Sequence, residues 1–171
     1  MDLKQVIVDI PDFPRPGILF RDITPVMESP QALTAALDGL EGLLDGVEFD
    51  RLAPIESRGF LLGAPLAQRL GLGLALIRKA GKLPRAVHSE SYELEYGSAT
   101  VEMHTDAIGP GDRVVVIDDL LATGGTAAAT GRLIERCGAE VVGYLFLVEL
   151  VGLGGRSALA DTPVFSLVQY D

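Results

Sequence analysis

The run Arg113-Val-Val-Val-Ile-Asp-Asp-Leu-Leu-Ala-Thr-Gly-Gly-Thr126 constrains the fold more than any other stretch of this chain. Val114 to Ile117 are consecutive apolar residues that read as a strand buried on both faces, as in a parallel sheet covered by helices. Asp118 and Asp119 stand where that strand is expected to end. The small, hydroxyl-rich loop Ala122, Thr123, Gly124, Gly125, Thr126 follows, and then a helix-compatible run to Cys137. In an open α/β sheet, ligands bind beyond the carboxyl ends of the strands, which places this turn in the expected site. Glycines let a ligand approach the backbone, Thr hydroxyls donate hydrogen bonds, and a helix start offers unpaired N–H groups to an anion. The loop suits a phosphate. The two acids suit hydroxyls, a metal-bound water or a developing positive charge. A sugar phosphate meets both demands.

Two familiar nucleotide loops are absent: there is no Gly-x-Gly-x-x-Gly after a strand, and no Gly-x-x-x-x-Gly-Lys-Ser/Thr. The plainer reading is an ordinary strand-to-helix turn with Thr126 as a helix cap. Paired acids at the end of a buried strand weigh against it, because such charges are costly without a task.

At 171 residues the chain fits a single domain, 1–171, with a substantial core. Its 48% hydrophobic and 22% charged residues indicate a globular rather than a disordered chain. A formal net charge of −10 argues against a general nucleic-acid or anionic-membrane surface. The few lysines are nevertheless clustered, with Lys79 and Lys82 both in Arg78-Lys-Ala-Gly-Lys82. The lone Cys137 rules out a disulfide framework and reads as core packing. No signal-peptide pattern opens the chain, and no apolar run approaches a bilayer span, so a soluble cytoplasmic protein is expected.

Along the chain, residues 1–10 read as a short amphipathic helix through Leu3, Val6, Ile7 and Ile10. Pro11, Pro14, Pro16 and Gly17 then enforce an extended, turn-rich segment. Ser29-Pro30 is a helix start, with Leu33, Leu37, Leu40 and Leu44 at helical spacing behind it. Strands are expected at Leu52 to Ile55, Leu72 to Ile77, Val141 to Val148 and Phe165 to Val168. A helix is expected from Gly59 to Leu70, with Pro65 awkward inside it. Tyr92 to Tyr96 and Thr100 to Met103 alternate as a β-hairpin around Gly97-Ser98. The expected fold class is α/β: a mostly parallel central sheet with helices on both faces.

Glu56-Ser57-Arg58-Gly59-Phe60 follows the first of these strands and shares the position of the Asp-Asp loop. Arg58 is either a fork for phosphate oxygens or the partner of Glu56 in a helix-start ion pair. Arg78, Lys79 and Lys82, at the end of the second strand, suit a pyrophosphate; the bland alternative is a solvated basic loop. His88 and His104 read as surface residues, and no His/Cys/Asp/Glu set has metal-ligand spacing.

Four segments in one order resemble the adenine phosphoribosyltransferases, a branch of the type I phosphoribosyltransferases. They are Pro16-Gly-Ile-Leu-Phe-Arg-Asp-Ile-Thr-Pro25, Ser57-Arg-Gly-Phe60, Leu94-Glu-Tyr-Gly97 and the run from Asp118 to Thr126, joined by Val148-Glu149-Leu150 and Gln169-Tyr170-Asp171. The Thr-Gly-Gly-Thr loop specifies only the wider superfamily; the first and third segments narrow it to adenine. The resemblance implies a small N-terminal hood over about residues 1–30 and a flexible hairpin loop over about 80–103. It implies transfer of ribose 5-phosphate from 5-phosphoribosyl 1-pyrophosphate (PRPP) to N9 of adenine, with Mg²⁺ held mainly by substrate and water.

By matching position, Ala122 to Thr126 would cradle the 5-phosphate, while Asp118 and Asp119 would hold the ribose hydroxyls and face the cation-like sugar. Arg58, Arg78, Lys79, Lys82 and Tyr96 would serve the pyrophosphate. Backbone at Leu19 and Arg21 would read the adenine edge, with Phe20 near the ring and Leu150 closing the opposite side. Glu95 would be the acid–base residue of a closing loop. A homodimer and an unusual backbone near Glu56-Ser57, such as a cis peptide, are further implications. Ala80 departs from the larger or cationic residue frequent in the family.

Two other readings compete. Enzymes acting on 6-oxopurines typically place a Lys after the strand beyond the PRPP loop, and this chain has no Lys after position 82. A PRPP-sensing binding protein without chemistry is disfavoured by Glu95 and its loop, and a repressor by the −10 charge.

Overall fold

The computed structural model describes residues 1–93 and 97–171. Its N-terminal segment departs from the expected helix. Only Leu3–Gln5 form a 3-10 turn, capped by Asp2, whose carboxylate accepts the Lys4 amide at 3.0 Å. Strand β1 (Val8–Pro11) follows and pairs antiparallel with β2 (Leu19–Asp22) across the proline-rich segment. Leu3 and Ile7 are buried and Val6 packs against the same core, whereas Ile10 stands on β1 and lines a cavity instead. The helical spacing could not reveal β2, whose ladder supplies tertiary support that an isolated short helix lacks. This hairpin falls within the segment of about residues 1–30 for which a hood is expected, and is termed the hood.

A short helix α1 (Thr24–Glu28), unforeseen in the sequence, leads into α2 (Pro30–Gly42). Helix α2 starts as read: Ser29 Oγ accepts the Ala32 amide at 3.2 Å, and Pro30 occupies the first turn. Leu37 and Leu40 are buried with Ala32 and Ala36. The helix stops at Gly42, so Leu44 enters the core from the turn beyond it.

Next come β3 (Arg51–Pro54), α3 (Arg58–Leu70), β4 (Gly73–Leu74) and β5 (Arg78–Lys79). The strand expected over 72–77 is broken. Strand β4 pairs with β3 over two residues, and beyond it the Ala75 amide donates to the Leu52 carbonyl at 2.9 Å and the Ile77 amide to the Pro54 carbonyl at 3.1 Å. This is a sheet edge, where no second neighbour regularises the ladder. Strand β5 then joins β7 (Ser98–His104), which pairs with β6 (Val87–Glu93) in a separate antiparallel sheet. The antiparallel pair expected here is present, joining Val87–Glu93 to Ser98–His104; residues 94–96 lie outside the described residues.

Strand β8 (Arg113–Leu121), helix α4 (Gly125–Glu135), β9 (Glu140–Leu150) and β10 (Val164–Tyr170) complete the main sheet, ordered β10-β9-β8-β3-β4 with every pairing parallel. Strand β8 outruns the expectation. Pairing with β9 as far as Leu121 opposite Glu149 carries it through Asp118 and Asp119, which lie within the strand rather than at its end. Val115 and Ile117 pack in the cluster that contains α2 and α3 residues, and Val114 and Val116 in the one that contains α4 residues. Helices thus cover both faces, as the sequence required. After β3 the chain turns to one side of the sheet, and after β8 to the other. The two exits diverge and open a crevice at the carboxyl ends of β3 and β8.

Candidate active site

Three adjoining cavities occupy that end of the sheet. The smallest, about 100 Å³, is lined by residues 120–127 with Asp118 and Phe146. Helix α4 starts there behind Gly124, and among the described residues no side chain caps it. Its first amides have no partner within the helix and present a partial positive charge, an arrangement that suits an anion and makes this cavity a candidate cradle for one. Gly124 has φ +82°, and an added Cβ would lie 2.5 Å from the Gly155 carbonyl oxygen. Both demands require glycine at that position.

The second cavity, about 420 Å³, is a cleft lined by Glu56 to Arg58, Arg78, Lys79, Tyr92 and Asp119 among others. Asp118 and Thr126 line both it and the cradle. Asp119 is only 5% exposed and accepts a 2.5 Å bond from Arg58 Nε. The ion pair between Arg58 and Glu56 is not formed, because Glu56 is taken by its own neighbours: it accepts Arg78 Nε at 3.1 Å and the Lys79 amide at 3.0 Å. Desolvation raises the Glu56 carboxyl, but the Lys79 amide and Arg78 outweigh it and hold the group below its usual value. Asp118 goes the other way. Burial and then the neighbouring Asp119 charge raise it well above the carboxylate range, against the Asp119 amide that it accepts at 2.8 Å. Lys79 lines the cleft, whereas Lys82, also expected there, does not; its carbonyl accepts Arg78 at 3.1 Å. The Glu56–Ser57 peptide is cis.

The third cavity, about 410 Å³, lies under the hood between Ile10, Phe13, Phe20 and Asp22 to Thr24, and shares Arg58 with the cleft. Phe13 and Phe20 meet edge to face at 5.1 Å. Leu19 and Arg21 flank Phe20 on β2, which among the described residues has one edge unpaired in its two-stranded sheet. Arg21 pairs with Asp9 and stacks on the Tyr170 ring at 3.9 Å, tying the hood to the last strand. Leu150, at the end of β9, packs against the main core and does not line this cavity.

Residues 28–161 match the phosphoribosyl transferase domain. An adenine phosphoribosyltransferase of Synechococcus is 57% identical over 171 residues, covering 100% of both chains. The crystal structure of the one from Thermoanaerobacter pseudethanolicus superposes with a TM-score of 0.96 at 48% identity, covering 99% of this chain and 98% of that one. The enzyme from Saccharomyces cerevisiae, complexed with an imino-altritol bisphosphate and adenine, gives 0.91 at 43% identity, covering 97% and 96%. The chain belongs to the adenine phosphoribosyltransferase family.

Among the site residues named for an adenine phosphoribosyltransferase, the structure brings Arg58, Arg78, Lys79, Asp118, Asp119 and Thr126 to one cleft. It sets Ala122 to Gly125 in the adjoining cradle and Phe20 in the hood cavity. Glu95 and Tyr96 lie outside the described residues. Several supports escaped the sequence reading. A Cβ on Gly59 would sit 2.8 Å from the Ile117 carbonyl oxygen and 3.1 Å from Asp118 Oδ1, so its glycine lets α3 approach the acids. Glu149, 2% exposed, is held bidentately by Arg156 at 2.6 and 2.7 Å and by Ser166 at 2.5 Å. Arg156 belongs to the 3-10 segment Gly155–Leu159, whose Gly155 backs the cradle. A charged residue at the end of the apolar run from Val141 was the available signal for this pair.

Proposed function

We infer that the chain transfers the 5-phosphoribosyl group of PRPP to N9 of adenine, forming AMP and releasing pyrophosphate. The observation that carries this reading is the sharing of Asp118 and Thr126 between the anion cradle and the cation-bearing cleft. A ribose with phosphate at C5 and diphosphate at C1 spans the two in one pose. The yeast relative's pairing of adenine with a bisphosphate supports the same allocation.

In this reading the 5-phosphate sits on the amides at the start of α4, with Thr126 adding its hydroxyl. Breaking the bond from C1 to pyrophosphate builds positive charge on the ribose. Asp118 and Asp119 lie beside it; the developing cation favours the ionised form of Asp118 that burial and Asp119 oppose, and Arg58 fixes the orientation of Asp119. Lys79 and Arg78 face the departing pyrophosphate. Mg²⁺ would fit as a companion of PRPP, held mainly by the diphosphate's hard oxygens and by water, with Asp118 the nearby carboxylate that would accept from such a water. Its contribution would be to neutralise the leaving group. Phe20 and the open edge of β2 serve the adenine, and Glu95 the proton at the base.

Base choice rests on donors and acceptors. Glu149 is committed to Arg156, and no lysine follows Lys82, so strand β9 ends without an ammonium for a purine O6. We also propose a cytoplasmic homodimer, the oligomeric state being testable by sedimentation. The function is tested by following nucleotide formation from PRPP with adenine, hypoxanthine, guanine and xanthine. AMP from adenine is the expected product. Greater activity with an oxopurine would overturn the base assignment, and no product with any base would restore a binding-only role.

A further inference from the structure

Tyr92 belongs to the hairpin, not to the phosphate loop, yet its hydroxyl lies 2.9 Å from Thr126 Oγ1. Its ring comes within 3.7 Å of where a Cβ on Gly125 would stand, so it covers the first turn of α4. The strand that delivers it is fixed against the same helix. Glu90, two residues earlier and on the same face of β6, accepts Arg132 Nε at 2.8 Å and Arg136 at 2.7 Å. Arg136 also donates to the Ser89 carbonyl at 3.0 Å. This double clamp sets the register of β6 along α4.

We propose that Tyr92 is a positioning residue for the 5-phosphate, acting through Thr126. The inference rests on the phosphate-cradle reading above. A threonine hydroxyl in a helix has two accessible rotamers, one of which turns back to bond the carbonyl four residues earlier. Thr130 does this in the same helix, donating to the Thr126 carbonyl at 2.9 Å. Thr126 is the second residue of α4, and the residue four positions before it, Ala122, precedes the helix, so it lacks that internal partner; among the described residues Tyr92 is what fixes its hydroxyl. An ionised phosphate accepts only, so Thr126 gives it its proton and keeps a lone pair for the Tyr92 O–H. The result is a chain, Tyr92 to Thr126 to phosphate, in which each bond polarises the next. It also links phosphate occupancy to the hairpin that carries residues 94–96.

The test is a double-mutant cycle with Tyr92→Phe, which keeps the ring, and Thr126→Val, which keeps the shape. Two readouts are taken: KM for PRPP during turnover, and AMP affinity by calorimetry. Tyr92→Phe should raise KM for PRPP and weaken AMP about fivefold to tenfold, as for loss of one net hydrogen bond, with KM for adenine unchanged. In the Thr126→Val background the same substitution should change neither quantity. Unchanged affinities in Tyr92→Phe, or an equal loss with Val at position 126, would overturn the proposal. Absence of turnover in the unmutated chain would instead overturn the proposed function, while the calorimetric cycle still judges Tyr92.

Discussion

Gly155 is the point at which a single methyl group reaches the phosphate cradle from behind. An added Cβ would overlap the Ala122 carbonyl oxygen and lie 2.8 Å from Leu121 Cδ1. Neither neighbour can yield cheaply, since one is backbone and the other a core side chain only 1% exposed. The backbone of Gly155 is not left-handed, so Gly155→Ala acts by bulk alone. Restoring carbon contacts to about 3.5–4.0 Å moves the cradle or the 155–159 segment by about 1 Å. Such overpacking costs about 1–3 kcal/mol of stability, or about 2–12 °C in Tm for a domain of this size. A misplacement of about 1 Å at a catalytic site lowers kcat/KM by about 10²-fold. Steady-state kinetics in PRPP and thermal melts measure both. Gly154→Ala is the control: its φ is +67°, with nothing within 4 Å of the added Cβ. It should cost about 1–2 kcal/mol of backbone strain and leave kcat/KM near the parent value. Full activity in Gly155→Ala, or an equal loss in Gly154→Ala, would refute the reasoning.

Other residues lead to further expectations. Glu95→Ala should lower kcat about 10²-fold or more with KM for PRPP little changed; unchanged turnover in steady-state assays would remove its acid–base role. Asp118→Asn should slow turnover about 10²-fold while raising Tm in the ligand-free protein. The folded pKa of Asp118 is raised by burial and Asp119, so its charge opposes folding fully above that pKa; the gain in Tm should shrink as pH falls through it and vanish below 3.8. Glu149 has the opposite sign. Arg156 holds its pKa down against desolvation, so its contribution is complete above 4.5 and fades as pH falls through the lowered folded value. Glu149→Gln should therefore cost about 2 kcal/mol at neutral pH, moderated by the 46% exposure of the Arg156 side chain, and progressively less in acid melts.

Much of the fold was legible because its elements carry strong local signals. Val114 to Ile117 could only be a strand buried on both faces, and Ser29-Pro30 could only begin a helix. The cradle was legible for the same reason, as small residues between a buried strand and a helix. What stayed hidden depends on partners distant in sequence. The β1–β2 hairpin exists because β2 pairs with residues that alone look helical. Strand β8 extends through its acids because β9 pairs with it that far. The choice of Asp119 over Glu56 as the partner of Arg58 joins residues 61 apart. Tyr92 reaches Thr126 only through a clamp between Glu90 and two arginines of α4.

A crystal structure of the chain with AMP bound tests the central claim most directly. The phosphate should lie within hydrogen-bond distance of the amides of residues 123–127 and of Thr126 Oγ1, with the ribose beside Asp118 and the base under the hood near Phe20. A phosphate held at the Arg78–Lys79 end of the cleft, with the cradle empty, would contradict the account.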